Sequence, residues 1–370
     1  MITVKIGNLF SSNAQTLVNT VNCVGVMGKG IALEFKKHFP KMFRDYVRRC
    51  ETGEVKLGKP YLYKRTCPPW ILNFPTKDHW RSVAKLSDII AGLDHLAGHY
   101  REWGITSLAV PPLGCGNGQL EWRVVGPTLY RRLKQLDISV ELYAPFGTPH
   151  EELKASFLDQ AADEESPAPY TVEPGWIALV EILRMIESEP YHWPVGRTTF
   201  QKIAYFATQS GIPTGLAYAR GSYGPYAEGV KPKVAALINN GLIDEECLGR
   251  MLAVRVGHTY DDARRAYAPH LEQWKSIIDK IVDLFLRMNT HQAEVAATVH
   301  FAAQEIRLEK SAKPSEDEIL KSVMQWKQRR RPPLNEKEVA LTIRNLNMLS
   351  WLDAEVSNSL PISEEEILNV

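Results

Sequence analysis

The 370-residue sequence carries five cysteines, Cys23, Cys50, Cys67, Cys115 and Cys247, and no two of them form a C-x-x-C pair. An odd, scattered set excludes a disulfide framework and a paired-cysteine zinc site, and fits a reducing cytoplasm. Charge of one sign is equally scarce. With 44 basic against 43 acidic side chains, bulk charge announces neither a nucleic-acid nor a membrane partner, so any such surface must be local. There is no run of about 18 apolar residues, and "MITVKIGNLF" alternates like a strand without a basic segment leading into an apolar one. The expectation is a soluble, unexported protein with no membrane partner. Repeats and low-complexity segments are missing too, and the length exceeds one ordinary core, so two domains are expected.

What is present divides near residue 165. Before it, "ITVKI", "TLVNTV" (16–21), "PYLYK" (60–64), "ILNF" (71–74), "TSLAV" (106–110) and "ISVELY" (138–143) are short, β-branched and bounded by turn residues. Helical spacing runs between them in "GIALEFKKHF", in residues 83–100 and in "EWRVVGPTLYRRLKQL". That alternation predicts an α/β fold, a mostly parallel or mixed sheet covered by helices. "DQAADEESPAPYTVEPG" replaces the apolar period with acidic residues, small residues and prolines, as a linker does, and residues 156–174 are assigned to it. Beyond, the pattern is mainly helical. "WIALVEILRMIESEP" is amphipathic, and Leu271, Trp274, Ile278, Ile281, Phe285 and Met288 recur at the spacing of one buried helix face. "SEDE" (315–318) and "NEKE" (335–338) read as capping boxes.

Three stretches of the first part bear on chemistry. "VNTVNCVGVMGKGIALEF" (18–35) is a strand, a glycine-rich turn and a helix start, in which Gly25, Gly28 and Gly30 allow close backbone approach and the helix N-terminus favours an anion. It is neither a Walker loop nor a G-x-G-x-x-G fingerprint. "VPPLGCGNGQLEW" (110–122) repeats the device with Gly114, Gly116 and Gly118, leading into a helix from about Leu120. Two such loops in one domain suit a diphosphate gripped from both sides. Asn22, at a strand end, is either a sugar-binding amide or a turn former. In "ILNFPTKDHW" (71–80), Pro75 is read as the end of the strand, which leaves Lys77 on the loop at its carboxyl end, where open α/β sheets keep their ligands. The spacing of Cys115, His38 and His79 matches no metal-ligand set, so no metal is expected.

In this order, "ITVKIGNLF", "VNTVNCVGVMGKGIALEF", "NFPTKDHW" and "PPLGCGNGQLEW" resemble a macrodomain of the DarG and terminal ADP-ribose glycohydrolase branch, over about the first 150 residues. The resemblance implies a macrodomain over residues 1–155 and hydrolysis of the bond joining ADP-ribose to thymidine in single-stranded DNA. It implies that the protein is the antitoxin of a DarT-type ADP-ribosyltransferase toxin, with no cofactor. It implies that Lys77 is catalytic, as an amine nucleophile or as a cation stabilising the departing base. ADP-ribose would meet Asn8, Leu9 and Phe10 near the adenine, with Phe146 on the opposite rim. Thr20, Asn22, Gly28, Lys29, Gly30 and Ile31 would form the first loop's share, and Leu113, Gly114, Cys115, Gly116, Asn117 and Gly118 the second's. Two positions depart from relatives: Asn8 stands where many macrodomains carry Asp, and Gly118 about where eukaryotic ones place Asp. Other readings of the same residues are a non-catalytic ADP-ribose reader and a glycohydrolase acting on protein or RNA.

In the second part, residues 200–243, with the aromatic turn "GSYGPY", resemble the Panacea domains found in antitoxins, and residues 175–370 are expected to bind the toxin. Tyr218, Tyr223 and Tyr226 are either a binding surface or helix-packing residues. "WKQRRRPP" (326–333) is either a solvated helix end or a phosphate contact, and "ISEEEIL" (362–368) could equally mimic a phosphate chain; composition does not choose.

Overall fold

The computed structural model describes residues 1–159, 170–249 and 251–362, so the middle of the linker stretch and most of the acidic tail lie outside the described residues. The chain forms two compact units, one of Met1–Thr171 with Lys231–Asn240, the other of Val172–Val230 with Gly241–Val370.

In the first unit the order is β1 (Ile2–Lys5), β2 (Thr16–Asn22), α1 (Gly30–His38), α2 (Pro40–Glu51), β3 (Tyr61–Tyr63), β4 (Trp70–Lys77), α3 (Leu86–His99), β5 (Ser107–Val110), α4 (Trp122–Lys134) and β6 (Ser139–Tyr143). The strands make one sheet in the spatial order β1-β6-β5-β2-β4-β3. All neighbours are parallel except the edge pair β3 and β4, which makes the sheet mixed. Parallel strands bury both faces, and β2 shows it. Leu17 and Val21 join the core beneath α1 and α2 with Phe35, Met42 and Tyr46, while Val18 joins the core beneath α3 and α4 with Ile89, Leu93, Val125 and Leu129. Between these layers the sheet buries a polar pair in register, Asn19 Nδ2 donating to Asn73 Oδ1 at 2.9 Å.

Three features differ from the sequence reading. Pro75 does not end its strand: β4 runs on through Pro75 and buried Thr76 to Lys77. By then it has outrun β3, which pairs only with Ile71, Leu72 and Asn73, so one edge is open and a missing N–H is tolerated. The β2 register also shifts there, with Val21 opposite Pro75 and Asn22 opposite Lys77. Second, α2 lies in a stretch to which the sequence reading assigns no element; Pro40 stands at its start, where its missing N–H costs nothing. Third, α4 begins at Trp122 rather than about Leu120, after a short 3-10 turn at Gly116–Gly118.

The second unit is mainly helical but contains two antiparallel hairpins, Ala219–Gly221 with Gly224–Tyr226 and Ile243–Leu248 with Met251–Val256. The aromatic turn "GSYGPY" is the first of these. Of the expected face, Leu271 lies on Ala268–Gln273 and Ile278, Ile281 and Phe285 on Lys275–Leu286, because the helical path breaks at Trp274, and Met288 lies beyond the second helix. Ser315 and Glu318 form the expected capping box. The second box is only half made: Asn335 caps through Lys337 N–H, while Glu338 pairs with His291 at 2.9 Å instead. Among its buried groups, Glu316 is fully enclosed and bound by Arg344 at 2.8 Å.

Candidate functional site

A parallel sheet sends every βα loop out at the carboxyl ends of its strands. Here the loops after β2, β4 and β5 bring the sequence motifs together. The first is shaped by Asn22. Its Oδ1 accepts from Val24 N–H at 3.0 Å and Val26 N–H at 3.3 Å, and its Nδ2 donates to the Val26 carbonyl at 2.6 Å. Tyr46 of α2 reaches up and donates to the Asn22 carbonyl at 2.8 Å, with Oδ1 at 3.0 Å. The structure therefore gives Asn22 the turn-forming role. Tyr46 was missed at the sequence level because α2 was.

The loop delivers the chain into α1 at Gly30, whose φ of +57° favours glycine. Lys29, at the cap position, makes no side-chain capping bond, so the first N–H groups of α1 keep the polarity that attracts an anion. A β-carbon on Gly30 would stand 3.2 Å from Asn117 Nδ2 of the second loop, so the two glycine loops converge there. In the second loop Gly114 is enclosed, and a β-carbon on it would overlap Leu120 and Ile89 at 2.5 and 2.7 Å. Gly116 and Asn117 are exposed, while Gly118 is buried against Ala84.

Lys77, the last residue of β4, reaches across to this loop and donates through Nζ to the Asn117 carbonyl. A β-carbon on Gly118 would lie 3.9 Å from Lys77 Cε. Beyond Lys77, the Asp78 carbonyl accepts Cys23 N–H at 2.9 Å, so the β2 and β4 chains leave the sheet side by side. Asp88, in the first turn of α3, has its carboxyl raised by burial, opposed by Lys85 and reinforced by Asp78. Burial pushes the Cys23 thiol up to about 12, with Cys50, Asp78 and Asp88 adding to it, and Cys115 also to about 12. Both stay protonated at neutral pH and are poor nucleophiles. Among the described residues there is no group of three or more His, Cys, Asp or Glu placed to hold a metal ion.

The remaining predicted contacts are distributed as follows. Asn8 caps a short 3-10 turn, its Oδ1 accepting Phe10 N–H at 3.0 Å. Phe10 lies against His38 and Phe35, each at 4.8 Å between ring centroids. Phe146 projects from the loop after β6 with 98% of its surface exposed. Thr20 and Ile31 are half-buried, and Gly28 and Lys29 are exposed. Leu9 and Leu113 are core side chains, which leaves only their backbone to face a ligand.

A mixed six-stranded sheet with two glycine loops meeting at the carboxyl ends of its central strands defines a macrodomain. The Macro domain family model matches residues 18–129, within the first unit. The chain is similar to a DNA ADP-ribosyl glycohydrolase of Mycobacterium tuberculosis, 39% identical over 242 residues, 62% of this chain and 65% of that protein. It spans, then, somewhat under two thirds of that relative's length. It is also similar to a DNA ADP-ribosyl transferase-DNA ADP-ribosyl glycohydrolase fusion protein of Thermosipho africanus, 41% identical over 172 residues, 41% of this chain and 44% of that one. Among solved structures, the macrodomain of Mycobacterium tuberculosis DarG is 49% identical and is covered over 98% of its length and 39% of this chain, with a TM-score of 0.38.

Proposed function

We propose that this protein hydrolyses the N-glycosidic bond between ADP-ribose and thymidine in single-stranded DNA, and that it acts in the cytoplasm as the antitoxin of a DarT-type ADP-ribosyltransferase. The observation that carries the reading is the meeting of Lys77 with both glycine loops, through Asn117. The names of the relatives support the DNA-linked substrate, and the Thermosipho africanus fusion joins a transferase and a glycohydrolase in one chain.

In this reading the N-terminus of α1 and the Gly116–Gly118 turn hold the diphosphate with backbone N–H groups, and Phe10 and Phe146 flank the adenine with Asn8 beside it. The distal ribose lies between the loops with its anomeric carbon toward Lys77. Water supplies the oxygen that bonds to that carbon, the carbon–nitrogen bond to the base breaks, and the water's proton ends on the departing thymine. Lys77 serves either as the amine that attacks first or as the charge that stabilises the leaving base. Residues 1–155 do this work, and residues 175–370 bind the toxin.

Single-turnover release of free ADP-ribose from an oligonucleotide carrying one ADP-ribosylated thymidine tests the activity. A protein that binds this oligonucleotide and releases nothing is a reader and not a hydrolase. Faster release from ADP-ribosylated protein or RNA reassigns the substrate. Co-purification of the full chain with its transferase tests the antitoxin half.

A further inference from the structure

Trp80 has no part in the site as assembled so far, and its placement is unusual. Tryptophan is among the largest apolar side chains and is mostly hidden in folded proteins, yet Trp80 keeps 47% of its surface exposed. It is not on a loose segment. His79 N–H donates to Asp78 Oδ1 at 2.6 Å, Arg81 N–H to His79 Nδ1 at 3.2 Å, and Ser82 N–H to the His79 carbonyl at 3.0 Å. Two residues on, Ala84 N–H donates to the Gly118 carbonyl at 3.0 Å, which ties the far end of the turn to the second glycine loop. The ring thus stands at the apex of a braced turn, and the Arg81 guanidinium lies over it, 4.5 Å from its centroid.

The position relative to Lys77 gives the ring a use. Two residues lie between them, three chain steps that reach at most about 10 Å. The adjoining loop leaves β2 alongside and presents two more exposed apolar side chains, Val24 at 46% and Val26 at 41%. Single exposed apolar residues are ordinary on a protein surface. Here three lie on the paired strand-end loops that flank Lys77, one of them aromatic and backed by a cation. Flat aromatic faces backed by cations are what proteins offer to unpaired bases.

We propose that Trp80, flanked by Val24 and Val26, stacks the nucleobase attached to the anomeric carbon of ADP-ribose, so that it positions the scissile bond and selects base-linked over other ADP-ribose conjugates. This rests on the DNA-linked substrate proposed above. Trp80 is a positioning residue, and Arg81 supplies positive charge for the flanking backbone phosphates.

The test uses the full chain with Trp80→Ala and Trp80→Phe. Fluorescence anisotropy with a labelled oligonucleotide carrying one ADP-ribosylated thymidine, in the Lys77→Ala background to preserve the probe, should show about 5- to 150-fold weaker binding for Trp80→Ala, the range of one stacked base. Trp80→Phe should stay within about twofold, and calorimetry with free ADP-ribose should give the same affinity for all. Equal oligonucleotide affinity in Trp80→Ala overturns the proposal. So does an equal loss for free ADP-ribose, which would make Trp80 part of the pocket itself. Turnover separates the two readings. If the enzyme with Lys77 intact releases no ADP-ribose while Trp80→Ala still loses oligonucleotide affinity, the platform stands and the hydrolase reading falls. If it hydrolyses and Trp80→Ala leaves kcat/KM unchanged, the reverse holds.

Discussion

Gly116 offers the sharpest test of the proposed diphosphate site, because its neighbourhood separates charge from shape. Its φ is +67° and a β-carbon there would meet nothing within 4 Å. Gly116→Ala therefore adds only backbone strain, about 1–2 kcal/mol against the left-handed conformation, in a loop whose walls stay in place. Gly116→Glu adds the same strain and a carboxylate. At about 5 Å from a phosphate and an effective dielectric of about 20, the repulsion is roughly 3 kcal/mol, or more than a hundredfold in affinity. Calorimetry with ADP-ribose should find the Ala variant close to the parent and the Glu variant weaker by two orders of magnitude or more. High salt should return part of the loss, since screening shortens the Debye length from about 10 Å at 0.1 M to about 3 Å at 1 M. Thermal unfolding should place the two variants together. Equal ADP-ribose affinity in Ala and Glu would refute the reasoning and remove the second loop from the phosphate site.

Lys77→Ala should keep the fold, since the half-buried side chain supplies little core area, and lose most ADP-ribose release; Lys77→Arg keeps a cation without an amine nucleophile, so substantial single-turnover activity in it selects the electrostatic role. Gly92→Ala should destabilise the first unit by about 2 kcal/mol in urea unfolding, although alanine is the better helix former, because its β-carbon would stand 2.4 Å from the buried Phe74 ring. His300 is held down to about 4, by burial first and by Lys280 second, and its Nδ1 lies 2.7 Å from Tyr205 Oη. The unfolded chain therefore takes up the proton first, and stability of the second unit should fall as pH drops from about 6.5 toward 4, by up to about 3 kcal/mol. His300→Gln, a neutral hydrogen-bonding substitute, should flatten that part of the pH profile whatever its constant cost.

The first unit was legible because its strands are short apolar runs separated by glycine turns, and that punctuation survives without any tertiary information. The errors fall where proline has two meanings. Pro40 opens a helix and Pro75 sits inside a strand, and only the absence of a neighbour at the β4 edge makes the second possible. The break at Trp274 was illegible because the apolar period continues across it, from one helix into the next. The two glycine loops and Lys77 were legible as residues expected to share one ligand, but their contacts through Asn117 were not. That Gly30 faces Asn117 depends on the spatial order of β2, β4 and β5, which local pattern does not contain.

A site made of loop ends has little apolar packing to hold it, and here polar contacts take over that work. Asn22 and Tyr46 fix the first loop, and the Ala84 amide and the Lys77 amine each fix one carbonyl of the second. Lys77 is thus both a brace for the Asn117 turn and the group proposed to act on the ribose. An incoming ribose that draws the amine away releases the Asn117 carbonyl, so binding and loop position are coupled through one hydrogen bond. The coupling explains why no single substitution at Lys77 isolates chemistry: alanine removes the brace with the amine, and arginine alters its reach. Free ADP-ribose affinity must therefore be measured beside turnover in both variants, because a loss shared by the two measurements belongs to the loop and a loss confined to turnover belongs to the reaction.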